Sequence, residues 1–316
     1  MTIPDLQNIA LHSRFMREAG FTLLMASGIL ALFLWVPTAP PKDMKAASII
    51  IATSTVPSAF ADIPLEAKAA IVYDLALKET LYEKNADAQL PLASLTKLLT
   101  VYAAISALSP ETQITISEDA MRAEAPRAFS AGQTFSLNDL SRLTLVASLN
   151  DGAAAIAGMI ALHQDRSQHK ALAGAAAALN LTQTYAINGS GLDVSEHISG
   201  GYGSARDLAR LAGALVEKAP DVTTATTKKY AEAKSVDGTV FKVKNTDPMV
   251  DTIPRLLLSK TGYTDLAGGN LALVIDPGIG HPIAIVVLGS SVKDRFTDGT
   301  ALVAATLAHF AGVPSL

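Results

Sequence analysis

Segments that read as strands stand at the two ends of the globular part of this chain, and segments that read as helices fill its middle. Ala69–Leu75 and Thr80–Lys84 have strand composition and a short turn between them, which predicts a hairpin. Thr239–Val243, Leu256–Lys260, Asn270–Ile275 and Ile283–Leu288 read as further strands, separated by Gly, Pro and Asp. Between the two groups, Ser94–Ala107 carries Leu95, Leu98, Leu99, Tyr102 and Ile105 at helical spacing. Ser136 with Asp139 marks a second helix start, and Asn150–Leu162 and Ser167–Leu179 read as two more. Ser204 with Asp207 marks another, and Gly299–Phe310 is the last. A sheet whose strands come from both ends of the chain must close around the helical block. The expected fold is therefore α+β, an antiparallel sheet flanked by helices with a helical subdomain, and the cleft between the two is the natural place for a site.

Composition bears mainly on what the chain can and cannot do. It has 316 residues, 49% of them apolar and 17% charged, which is enough to bury a core and excludes bulk disorder. The net charge of −4 argues against a nucleic-acid surface. There is no cysteine, so disulfides, thiolate metal sites and cysteine nucleophiles are excluded. None of the six histidines stands in an H-E-x-x-H arrangement, and His163 and His169 around Asp165 lie in a polar helical stretch that reads as surface. No metal or organic cofactor is expected. Chemistry is left to hydroxyls, amines and carboxylates.

The N-terminus reads as a membrane segment. No charged residue occurs from Ala19 to Pro41, and Arg14 and Arg17 precede that run. The positive-inside rule then puts residues 1–18 in the cytoplasm, a transmembrane anchor at 19–38, and the rest of the chain outside. Ala59-Phe60-Ala61 resembles a signal-peptidase site, but the apolar core before it is short, and an uncleaved anchor is the preferred reading. Residues 39–62, rich in Pro, Ala, Ser and Thr, read as a linker, and residues 63–316 as one globular domain.

Three short motifs carry the chemistry: Ser94-Leu-Thr-Lys97, Ser148-Leu-Asn150 and Lys260-Thr261-Gly262. The first has copies at Ser167–Lys170 and Ser290–Lys293, and the second at Ser136–Asn138, so either alone is weak. On a helix, residues i and i+3 share a face, so Lys97 can bring its amine to the Ser94 hydroxyl. A serine in the first turn also faces unpaired N–H groups suited to an oxyanion. The amine acts as a base only when neutral, which burial and a second cation such as Lys260 would favour. Ser148 can relay a proton, and the Asn150 amide can hold a substrate carbonyl. Each motif also has a plain structural explanation: an N-cap for Ser94 or Asn150, an anti-aggregation lysine on an edge strand for Lys260.

In that order the motifs resemble the signature of penicillin-binding proteins and class A β-lactamases. The blocks Pro91–Thr100, Ser148–Asp151, Asn188–Asp193, Ser204–Leu208 and Lys260–Asp265 are similar to those of the low-molecular-weight D-alanyl-D-alanine carboxypeptidases, a likeness running from about Ile63 to Phe310. The resemblance implies a serine DD-peptidase acting on peptidoglycan pentapeptide, acylated by β-lactams, membrane-anchored, with its catalytic domain outside the cytoplasm. It implies Ser94 as nucleophile, Lys97 as general base, Ser148 and Asn150 as second-motif groups and Lys260 as substrate-binding cation. Thr261, Gly262 and Tyr263 would line the substrate, with the Ser94 and Tyr263 N–H groups as oxyanion hole, and Arg295 would help hold the terminal carboxylate. Leu149 and Tyr263 depart from the Gly and His common in the family, which bears on substrate preference. A β-lactamase reading is disfavoured: class A enzymes resemble one another in a Glu-x-x-Leu-Asn segment, and before Leu179-Asn180 the corresponding position here is Ala176. DD-endopeptidase or β-lactamase action on the same fold and an inert wall-binding homologue are the alternatives, the last disfavoured because Ser94, Lys97 and Lys260 are all present.

Overall fold

The computed structural model describes residues 16–20, 22–25, 27, 59–278 and 280–312. The chain divides into two units, Met1–Ser54 and Thr55–Leu316. In the first, the described residues 16–20, 22–25 and 27 are helical and exposed. The remainder of the expected 19–38 span and the linker up to residue 58 lie outside the described residues. Among those described, no helix is long and apolar enough to cross a membrane.

The second unit is built on a five-stranded antiparallel sheet of β1 (Ala69–Asp74), β2 (Glu79–Lys84), β10 (Leu256–Thr264), β11 (Gly268–Ile275) and β12 (Ile283–Ser290). Their order is β10-β11-β12-β1-β2, so the two chain ends do share one sheet, and among the described residues β10 is an edge strand. The central strands are buried on both faces, and their alternating side chains feed two separate cores. Ala69, Ile71 and Tyr73 of β1 face the larger core, together with Leu208, Leu211 and Leu215; Ala70 and Val72 face the smaller one, with Leu302 and Val303. Phe60, assigned to the linker on composition, is buried in that smaller core and stacks on Tyr82.

Helices α1 (Thr96–Ala107), α2 (Glu118–Met121), α3 (Leu137–Ala147), α4 (Asn150–His163) and α5 (Gln168–Ala178) form the helical block. α6 (Ala205–Lys218) packs on β12 and β1, α7 (Pro220–Ala225) follows it, and α8 (Asp294–Ala311) packs on β12 and β11. The predicted starts hold: Ser136 Oγ accepts from the Asp139 N–H and Ser204 Oγ from the Asp207 N–H. α8 starts five residues earlier than expected, because its first turn is polar and hides the periodicity. Small sheets complete the block: β3 (Leu90–Pro91) with β6 (Tyr185–Ala186) and β7 (Gly201–Gly203), β4 (Gln113–Thr115) with β5 (Thr134–Ser136), and the hairpin β8 (Tyr230–Lys234)–β9 (Val240–Lys244); only β9 was expected as a strand, from Thr239–Val243, and it pairs with β8 instead of joining the main sheet. Most are too short to show a period of two.

Candidate active site

The three motifs meet where α1, the α3–α4 junction and the edge strand β10 converge. Ser94 lies in a single 3₁₀ turn, Ala93–Leu95, that runs directly into α1. The preceding Ala93 has φ of 48°, a strained value for a residue with a Cβ. That turn is held from outside: the Leu92 N–H donates to Gly201 O at 2.9 Å, and the side-chain amide of buried Asn270 in β11 donates to Pro91 O at 3.0 Å.

Lys97 is wholly buried, and its Nζ lies 2.8 Å from Ser94 Oγ, 2.7 Å from Asn150 Oδ1 and 2.8 Å from Ser190 O. Burial first, and the nearby Lys260 second, hold its amine well below the usual lysine pKa, against an opposing pull from buried Asp151. Two of its three neighbours can only accept. A neutral amine therefore gives its two hydrogens to Asn150 Oδ1 and Ser190 O and turns its lone pair to the Ser94 hydroxyl.

Asn150 departs from expectation. Its amide nitrogen donates to Glu124 O at 2.9 Å and Ala125 O at 3.0 Å, so both its hydrogens are used within the fold and neither is offered to a substrate carbonyl. Asn150 orients Lys97 instead, and it stands inside α4 rather than capping it. Ser148, the left-handed residue ending α3 (φ 58°), places its hydroxyl 3.0 Å from Lys260 Nζ. Lys260 is 1% exposed and also donates to Thr261 O at 2.7 Å. Burial, then Arg295, depress its pKa to about 7, while Asp247 acts the other way.

Gly262 is where β10 passes the nucleophile turn. A Cβ there would lie 3.0 Å from Leu92 O and 3.2 Å from Ser94 N, so only glycine lets the two backbones approach without displacement. Thr261 Oγ1 donates to Thr246 Oγ1 at 2.7 Å, Tyr263 is half-exposed with its hydroxyl on Asp265, and Arg295 reaches β10 from α8, donating to Gly262 O at 2.7 Å. The buried Arg295 Nε has no hydrogen-bond partner among the described residues.

All nine predicted residues thus come together. The motif copies do not: Ser167 caps α5, Ser136 caps α3, and Ser290 Oγ donates to Asp298. Four contributors went unread in the sequence. The Ser190 carbonyl, Asn270 and Thr246 act through single contacts, and Asp247 is buried between Ser259, to which it is bonded at 2.6 Å, and the two cations. Ser190 belongs to the Asn188–Asp193 block, whose likeness to the family was its only signal.

A hydroxyl against a buried amine, beside a second amine and an open strand edge, defines a serine acyl-transfer hydrolase on an α+β fold of antiparallel sheet and helices. The family described as D-alanyl-D-alanine carboxypeptidase matches residues 54–292, and the chain belongs to it, a serine-type hydrolase of that class. D-alanyl-D-alanine carboxypeptidase DacC of Escherichia coli is 30% identical over 298 residues, 88% of this chain and 67% of that protein. A D-alanyl-D-alanine endopeptidase of Pseudomonas aeruginosa is 29% identical over 265 residues, 81% of this chain and 83% of the relative. The cefotaxime-bound penicillin-binding protein D2 of Listeria monocytogenes superposes with a TM-score of 0.64 at 28% identity, covering 78% of this chain and 99% of the other.

Proposed function

We propose that Ser94 is the nucleophile of a D-alanyl-D-alanine carboxypeptidase acting on peptidoglycan stem pentapeptides. The observation that carries this reading is the buried Lys97 amine, depressed in pKa and 2.8 Å from Ser94 Oγ. Ser94 Oγ attacks the carbonyl carbon of the penultimate D-alanine while its proton passes to Lys97 Nζ. The oxyanion forms against the Ser94 and Tyr263 N–H groups, on the nucleophile turn and on the strand that passes it at Gly262. Collapse expels the terminal D-alanine, whose amine takes a proton relayed through Ser148. Water then attacks the ester, Lys97 again acting as base, and frees the serine.

The substrate backbone pairs with the edge of β10, and its carboxylate is drawn by the positive charge of Lys260 and Arg295 and by the Thr261 hydroxyl. β-Lactams, one of which is bound by the Listeria relative, acylate Ser94 in this reading. The charge-free stretch 19–38 serves as an anchor that leaves the catalytic unit outside the cytoplasm. The similarity to an endopeptidase along most of both chains favours, as a second reading, cleavage of D-alanyl cross-links.

The test is D-alanine release from a soluble pentapeptide, with a cross-linked dimer as parallel substrate. Ser94→Ala is expected to lower turnover by at least about 1000-fold with an unchanged melting temperature. Penicillin should add its mass to the peptide containing Ser94. Undiminished turnover in the variant would overturn the assignment.

A further inference from the structure

The β8–β9 hairpin spends one face on the core and leaves the other in water. Ala231 and Ala233 are buried, and Phe241 packs edge-on against Phe129 and Phe135. The alternate positions Tyr230, Glu232 and Lys234 on β8, and Val240, Lys242 and Lys244 on β9, are exposed. Their register sets Tyr230 opposite Lys244, Glu232 opposite Lys242 and Lys234 opposite Val240. Lys242 Nζ lies 5.3 Å over the Tyr230 ring, and exposed Lys228 and Lys229 extend the face at its base, Lys229 being paired with Asp251. Acids are few here. Glu232 is the one carboxylate on the two strands, and Asp237 turns into the hairpin tip, where Ser235 and Thr239 bond it.

This lysine excess occurs in a chain of net charge −4, so it does not follow from composition. Keeping a strand face soluble needs charge of either sign, whereas three of the four charged positions on these strands are lysine. The face also leads out of the site. Two residues after Lys244, Thr246 meets the Thr261 hydroxyl, and Lys242 stands about 13 Å of extended chain from that contact.

We propose that this lysine-bearing face docks the anionic, carboxylate-rich polymer to which the scissile peptide is attached, holding it beside the edge of β10. The proposal rests on the reading that peptidoglycan is the substrate. Charge complementarity selects the occupant, and with water-exposed groups the attraction is screened by salt.

The experiment uses the full chain in detergent and the exposed-site variant K242Q/K244Q. Each is sedimented with insoluble peptidoglycan and with phosphatidylglycerol vesicles at low and high salt, and turnover of a soluble pentapeptide is measured alongside. Expected are retention of the parent on peptidoglycan that falls with salt, and about tenfold weaker retention of the variant at low salt, with soluble turnover unchanged. Equal retention of parent and variant, or loss on the variant confined to the lipid vesicles, overturns the docking surface. Failure of the parent to release D-alanine from the soluble peptide would strike at the catalytic reading instead, and sedimentation reads the surface independently of it.

Discussion

Ser148 combines two demands at one residue. Its backbone ends α3 in the left-handed region, where a Cβ costs roughly 1–2 kcal/mol, while its hydroxyl is the one that meets Lys260. Glycine would satisfy the backbone better and the chemistry not at all. Ser148→Gly is therefore expected to leave the melting temperature unchanged or a few degrees higher while lowering kcat about 100-fold or more, read by calorimetry and by D-alanine release. A parallel fall in both would mean that the serine is kept for the fold. The same separation applies to Asn150, whose amide hydrogens are committed to Glu124 and Ala125 and whose oxygen alone serves Lys97. Sequence placed this residue in the site but assigned its amide to substrate, because a side chain's free valences depend on which loop crosses it.

Among elements, the contact between β10 and the nucleophile turn decides the geometry. Gly262 sets its closeness, and Asn270 of the neighbouring strand ties Pro91 to the sheet. Gly262→Ala would force a shift of a few tenths of an ångström between the strand and Ser94. The expected result is a loss of about 1–3 kcal/mol in stability and penicillin acylation slowed by about 100-fold, followed by stopped-flow or mass spectrometry. Acylation at the parental rate would show that the turn absorbs the shift harmlessly. That glycine was legible in the sequence as a strand-edge residue inviting another backbone. Which backbone it invites was not, since Leu92 and Ser94 are some 170 residues away.

At the scale of the molecule, the site is a buried cluster of like charges moderated by two carboxylates. Lys97, Lys260 and Arg295 face one another across α1, β10 and α8, with Asp151 of α4 beside Lys97 and Asp247 beside the other two. In the proposed mechanism Lys97 acts as a neutral base and Lys260 as a cation. kcat/KM should accordingly rise as Lys97 loses its proton and fall as pH passes through about 7, where Lys260 loses its own. A carboxylate favours the protonated lysine, so removing it lowers the lysine pKa. Asp247→Asn is thus expected to move the alkaline limb to lower pH, measured by the pH profile of D-alanine release. A limb that stays in place would exclude Asp247 from the electrostatics of the site.

The strand composition of β1, the helical spacing in α1 and the serine caps at Ser136 and Ser204 were readable along the chain because each depends on residues within a turn or a strand of one another, and the order of the three motifs is itself a property of the sequence. The union of the two chain ends in one sheet followed from the placement of strands and helices alone. What tertiary structure decided was everything set by distance through space: the lowered pKa of the Lys97 amine, the Ser190 carbonyl that it meets, the pull of Asp247 on Lys260, and the lysine face of the β8–β9 hairpin. Burial and Coulomb interaction act between residues that folding makes neighbours, and one-dimensional spacing holds no record of that proximity.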